Sequence, residues 1–215
     1  PMGVFCLIAT TFSNIGWSAF APMLKYIFAV MLALFIQCLI TYMAMLKLFT
    51  KLNPLTFLKK FFPVMSFAFS TSSSNATIPL SIETLDNEIG VSEKISSFTV
   101  PLGATINMDG TAVMQGVATI FIAQIYGIDL TMGNYITIIL TATLASIGTA
   151  GVPGVGVIML GMVLVQIGLP LEGIGLVMGI DRFVDMFRTM INITGDAVCT
   201  LVIAKTEGEQ LKEAI

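Results

Sequence analysis

The sequence predicts an all-α integral membrane protein in which transmembrane helices are combined with two re-entrant helical hairpins. Three observations predict it. More than half of the 215 residues are apolar and only 11% are charged, outside the usual range of soluble domains. Hydrophobic stretches near 4–21, 26–50, 95–126, 134–168 and 173–204 meet or exceed the roughly 20 residues a helix needs to cross the hydrocarbon. Two segments also place polar, Gly- or Pro-containing runs between apolar arms, and such backbone is tolerated at membrane depth only against protein or a water-filled cavity.

The elements follow in order. Residues 1–20 begin Pro1-Met2-Gly3-Val4, with no basic n-region or cleavage site, and read as part of a membrane helix that starts before this sequence. A helix is expected over 21–50. The first hairpin, 54–90, has the run Ser70-Thr71-Ser72-Ser73-Ser74-Asn75 at its turn. A broken helix over 92–126 is interrupted by Asn107-Met108-Asp109-Gly110-Thr111. The second hairpin, 131–168, turns at Ser146-Ile147-Gly148-Thr149-Ala150-Gly151-Val152-Pro153-Gly154-Val155-Gly156. A second broken helix is expected over 171–206, and 208–215 form a cytoplasmic tail. Lys47, Lys51, Lys59, Lys60, Lys205 and Lys212 cluster at one set of ends, while the connections near 127–133 and 169–173 carry no Lys or Arg. By the positive-inside bias the basic ends are cytoplasmic, with Lys25 the exception.

Composition excludes several function classes. The net charge of −3 is small and its acids are scattered, so no nucleic-acid partner is expected. His is absent and Cys6, Cys38 and Cys199 are far apart, which argues against zinc, haem and a disulfide framework. An intramembrane aspartyl protease would need two acids from different helices, such as Asp109 and Asp185, but the Gly-x-Gly-Asp context is missing. A channel or structural subunit would have no use for paired Asp and Arg.

Chemistry concentrates in the last segment. Asp181, Asp185, Arg188, Asn192 and Asp196 fall on one helical stripe roughly 80° wide at about 100° per residue. An ionisable residue inside the membrane costs on the order of 3 kcal/mol, so the stripe reads as functional. The Asn107–Thr111 break frees backbone carbonyls, which join Asn and Asp oxygens as hard ligands for an alkali cation. Asp109, Asp181, Asp185 and Asp196 against Arg182 and Arg188 leave about two negative charges at ordinary pKa values. An anionic substrate would add another, so cations are expected to enter with it.

Ser72-Ser73-Ser74, the run Pro101 to Thr111, the Ser146 to Gly156 turn and Asp185 to Asp196 together resemble the dicarboxylate/amino acid:cation symporter family, the glutamate/aspartate transporters, over its C-terminal half. The resemblance implies a scaffold helix at 1–20, an elevator-type transport domain over 21–207, a homotrimer built through a scaffold mostly absent from this sequence, and a multi-pass place in the plasma membrane, here a bacterial inner membrane. It assigns Arg188 to the side-chain carboxylate of an acidic amino acid and Asp185 to its ammonium. Asn192 and the backbone around Ser73 and Ser74 take the α-carboxylate, and Thr111, Thr189 and the backbone near Gly156 complete the pocket. The second hairpin becomes the extracellular gate. Sodium ions are assigned to Asp196, Asn192 and the carbonyls of Gly103 and Asn107, and to the carbonyls of Thr105, Ser146, Ile147 and Thr149. A further ion goes to Asp109 with Asn107, Met108 lying in the same set, and its remaining ligands come from a helix outside this sequence. A C4-dicarboxylate carrier would have no use for Asp185, nor a neutral amino acid carrier for Arg188, so aspartate or glutamate leads. Family members carry an Arg before the hairpin serines or after the substrate-binding Asp, where this chain has Ser72 and Met186; Arg182 is the expected substitute. Animal members carry a proton on a Glu where this chain has Gln115, so sodium coupling without a proton or potassium step there is expected.

Overall fold

The computed structural model describes residues 20–212 and, before them, residues 2, 5, 6, 9 and 13. Most of the expected scaffold segment, 1–20, therefore lies outside the described residues, as do residues 213–215 of the tail. Every element among the described residues is helical, and none is a strand.

Helix α1 (Phe20–Ile36) passes through a π-helical turn (Gln37–Tyr42) into α2 (Met43–Thr50). The chain from Ala21 to Thr50 is thus one rod, and with Leu171–Thr206 it is long and apolar enough to cross a membrane. Its outward side presents Leu24, Phe28, Leu39, Ile40, Leu48 and Phe49, an apolar surface of the kind a lipid face requires.

Helix α3 (Pro54–Thr71) starts on Asn53, whose side chain accepts from the Leu55 N–H at 2.9 Å, and has Pro54 in its first turn; both are favoured there because the first N–H groups lack helical partners. It ends at Ser72 in the left-handed region, φ 52°. Ser73 then caps α4 (Ser74–Thr84) by accepting from the Ala76 N–H, so the serine run both stops one helix and starts the next. Helices α3 and α4 pack on each other as a hairpin, followed by a π-helical turn (Leu85–Ile89) and Gly90 at φ 89°.

Helix α5 (Glu93–Ile106) and α6 (Asp109–Ile125) are separated by Asn107 and Met108, both outside helical dihedrals. Helices α7 (Met132–Ile147) and α8 (Val155–Ile167) form the second hairpin. Thr131 and Asn134 close a reciprocal capping box at its start, satisfying two orphan donors. Gly154, at φ 81°, turns the chain into α8.

The final segment differs from its expectation. Instead of a broken helix over 171–206, a 3-10 turn (Leu171–Gly173) leads into α9 (Ile174–Thr206), which runs uninterrupted for 33 residues. No Pro occurs after Pro170, so every N–H inside α9 keeps its partner one turn back; its polar residues are a side-chain stripe and leave the backbone intact. Most of α9 is buried by α1–α6 and α8, which makes it the axis of the bundle. The tail beyond it folds back: Glu209 receives the Ser92 N–H and hydroxyl, and Lys212 pairs with the carbonyls of Asn87 and Ile89.

Candidate functional site

The α9 stripe faces the tips of both hairpins and the α5–α6 break. Helix ends gather there: the N-termini of α4, α6 and α8 and the C-termini of α3, α5 and α7 are all brought to it by breaks in chain direction. Unpaired N–H groups give the former a partial positive charge and unpaired carbonyls give the latter a partial negative one. Anionic groups and cations thus each find a matching set of helix ends.

Arg188 is the centre of the charge. It is buried, and its guanidinium reaches Asp181 Oδ1 at 3.2 Å and Asp185 Oδ1 at 2.6 Å. These are the ion pairs found among the described residues. Asp185 is held further by the Thr189 hydroxyl at 3.3 Å and by the Gly154 N–H at 3.1 Å, so the N-terminus of α8 already seats a carboxylate. A Cβ on Gly156 would lie 3.0 Å from the Arg188 guanidinium carbon, so the α8 backbone rests on that group in a way only glycine allows without displacement. Gln115 donates to the Gly156 carbonyl at 3.1 Å, tying the same turn to α6.

Asn192 lies one turn along α9. It accepts from the Gly110 N–H at 2.8 Å and points its amide at the Met108 sulfur, 3.2 Å, and the Thr111 hydroxyl, 3.4 Å. Asp196, the next turn on, accepts from the Asn107 amide at 2.9 Å. Gly103 permits this approach, because a Cβ there would stand 2.6 Å from Asp196 Oδ1. Asp109 faces the other way and receives Gln37 at 2.9 Å and the Tyr42 hydroxyl at 3.1 Å.

The hairpin tips touch. The Ser73 hydroxyl and the Asn75 N–H both donate to the Gly151 carbonyl, at 2.9 and 3.1 Å, and a Cβ on Gly151 would meet Ser74 Cβ at 3.0 Å and the Ala104 carbonyl at 3.1 Å. The last contact lays the second tip across the C-terminus of α5 at Ala104. Ser74, Thr111, Thr149, Gly156, Asp185, Arg188, Thr189 and Asn192 line one cavity of about 10 Å³, roughly what a single water needs. A larger cavity of about 750 Å³ lies outside it, along α5 and α9, and meets the ion candidates through Gly103, Asn107 and Asp196. Convergence of charge and helix ends, rather than room, marks the site.

Of the substrate-set residues named from the sequence, Ser74, Thr111, Gly156, Asp185, Arg188, Thr189 and Asn192 line the smaller cavity and Ser73 sits at the contact of the tips. Of the ion set, Met108, Thr149 and Asn192 line it too, Gly103, Asn107 and Asp196 meet one another beside it, and Asp109 turns toward Gln37 and Tyr42. Three features were missed. Asp181 pairs with Arg188, whereas exposed Arg182 forms no ion pair among the described residues; neighbours on a helix diverge by about 100°, while residues seven apart share a face. Gln37 and Tyr42 are the partners of Asp109, and the signal for Gln37 was a lone amide inside an apolar span. Ser72, buried, has a hydroxyl without a partner.

Comparison with known proteins places these features in a family. Residues 1–206 match the sodium:dicarboxylate symporter family. An excitatory amino acid transporter of Caenorhabditis elegans is 42% identical over 200 residues, covering 92% of this chain and 40% of that protein. Excitatory amino acid transporter 3 of Mus musculus is 38% identical over 214 residues, 99% of this chain and 41% of its own. The proton/glutamate-aspartate symporter of Escherichia coli K12 is 40% identical over 207 residues, 96% of this chain and 47% of its own. The chain spans less than half the length of these relatives, which are transporters and not enzymes. With a match over nearly its whole length, this chain belongs to the sodium:dicarboxylate symporter family.

Proposed function

We propose that this chain is the transport domain of a secondary active transporter that carries an acidic amino acid, aspartate or glutamate, together with sodium ions. The observation that carries the reading is Arg188, a buried guanidinium one helical turn from Asp185. A guanidinium fork matches a carboxylate and Asp accepts from an ammonium, and an acidic amino acid presents both groups at about this separation. The substrate carboxylate replaces a protein carboxylate on Arg188, and Asp185 turns to the ammonium. Asn192, Thr111 and the N-terminus of α4 at Ser73 and Ser74 receive the α-carboxylate, with Thr189 and the Gly156 backbone closing the pocket.

Sodium enters as co-substrate. Asp196 with Asn192 and the carbonyls of Gly103 and Asn107 form one seat, and the carbonyls of Thr105, Ser146, Ile147 and Thr149 a second, where the ends of α5 and α7 meet. Asp109 with Asn107 and Met108 begins a third, completed by ligands from outside this chain. The cavity of about 750 Å³ that reaches Gly103, Asn107 and Asp196 supports the first seat, since it gives a cation a way to it. Asp196→Asn keeps the shape and removes the charge, so half-saturating sodium for substrate binding should rise about tenfold in a sodium titration of the complete protein. An unchanged titration removes Asp196 from the ion seat.

Both hairpins are re-entrant in this reading, the first from the cytoplasm and the second from outside. The domain moves as an elevator against a trimeric scaffold, in the plasma membrane of a bacterium. The about 10 Å³ at the site supports a gate, because an amino acid enters only if the α7–α8 tip lifts. Proton coupling is the second reading, favoured by the name of the Escherichia coli relative. Gln115 supports sodium alone, since an amide does not titrate in range. In liposomes holding the complete protein, an inward sodium gradient should concentrate labelled aspartate without internal potassium. Sodium-independent uptake driven by an imposed proton gradient rules for the second reading.

A further inference from the structure

We infer that the π-helical turn Gln37–Tyr42 is a positioning device for the sodium seat at Asp109: it sets two donors on one carboxylate oxygen and leaves the other oxygen to the ion. The inference rests on the reading that Asp109 begins a sodium seat.

Gln37 and Tyr42 stand five positions apart, at the two ends of the turn. On an α-helix, at about 100° per residue, they would point about 140° away from each other. The five-residue repeat of the π-helix brings them to one face instead. Both reach the same atom, Asp109 Oδ2, the Gln37 amide at 2.9 Å and the Tyr42 hydroxyl at 3.1 Å. Residues 37–42 include neither Gly nor Pro, so the local sequence does not force the wide turn. Turns of this kind concentrate at functional sites.

A carboxylate can accept on both oxygens, yet Asp109 takes both of these donors on one, and Oδ1 receives none among the described residues. Asn107, in the same seat, is held in the same manner. Its side chain donates to Asp196 at 2.9 Å, and because only the NH₂ end of an amide can do so, its carbonyl oxygen is the free end. The two arrangements meet at Gly195 of α9, where a Cβ would stand 2.5 Å from the Tyr42 hydroxyl and 2.9 Å from Asn107 Nδ2. Glycine there lets both groups lie side by side on the α9 backbone. Outer partners of this kind orient the ligands of an ion and set its affinity.

Gln37 and Tyr42 are positioning residues, since they act through Asp109. The test measures aspartate binding to the complete protein by calorimetry at limiting and at saturating sodium, and the melting temperature with and without sodium. Tyr42→Phe and Gln37→Leu should each weaken aspartate about tenfold at limiting sodium, the usual cost of a lost outer partner, with no change at saturating sodium. The rise in melting temperature that sodium gives the parent should shrink in both, because stabilisation by a bound ion follows its affinity. In an Asp109→Asn background, neither substitution should weaken aspartate further, since the anionic oxygen it orients is gone. A merely structural role would lower the melting temperature equally with and without sodium and leave aspartate affinity at limiting sodium unchanged, and that result overturns the inference. So does the same loss in both backgrounds. If Tyr42→Phe does not fold, Gln37→Leu decides by the same readings. A parent that binds aspartate regardless of sodium, or not at all, overturns the functional reading itself, and the positioning role with it.

Discussion

Replacing Arg188 by Cys in the complete protein should weaken aspartate and glutamate binding at least about a hundredfold, whereas serine or alanine binding should appear. Arg188 is the cation shared by Asp181 and Asp185, and without it an incoming side-chain carboxylate would join two buried carboxylates with no counter-charge. Removing one partner of a buried ion pair costs about 3–5 kcal/mol, which exceeds the roughly 1.4 kcal/mol behind each tenfold change in affinity. A neutral substrate escapes this penalty. Its ammonium finds Asp185 released from Arg188, and its α-carboxylate still meets Asn192 and the first hairpin tip. Arg188→Lys should fall between the two, because an ammonium supplies the charge but not the planar fork. Calorimetry with aspartate, glutamate, serine and alanine distinguishes these outcomes. Unchanged aspartate affinity in Arg188→Cys would mean that the acidic group sits elsewhere.

A disulfide between the hairpin tips should abolish substrate binding altogether and release it again on reduction. A Cβ at position 151 would lie 3.0 Å from Ser74 Cβ, slightly closer than the roughly 3.5–4.5 Å of a disulfide. The small outward shift that relieves its contacts with Asn75 and the Ala104 carbonyl moves that distance toward the required one. Ser74→Cys with Gly151→Cys, in a background without Cys6, Cys38 and Cys199, should therefore cross-link under mild oxidation, which mass spectrometry detects. The bond spans the contact where Ser73 and Asn75 donate to the Gly151 carbonyl, and in the gate reading that contact must open to admit an amino acid. Oxidised protein that still binds aspartate as well as the reduced form would show that entry does not pass between the tips.

These expectations draw on two kinds of information. The α9 stripe was legible in the sequence because residues three and four apart on a helix share a face whatever surrounds them. The hairpin turns and the α5–α6 break were legible because Gly, Pro and serine runs at membrane depth stop helices by local chemistry. Continuity of α9 was not, since polar side chains in a row resemble a backbone break when only composition is weighed. Gln37 and Tyr42 reach Asp109 across 72 and 67 positions, and the Gly151 carbonyl meets Ser73 across 78. Periodicity along a chain says nothing about such distances. The sequence by itself determined an all-helical chain, its breaks and one charged face. Only the tertiary structure decided that Gln37 and Tyr42 meet Asp109 and that the two hairpin tips meet at the Gly151 carbonyl, because these pairings depend on how closely packed helices bring together side chains from separate elements.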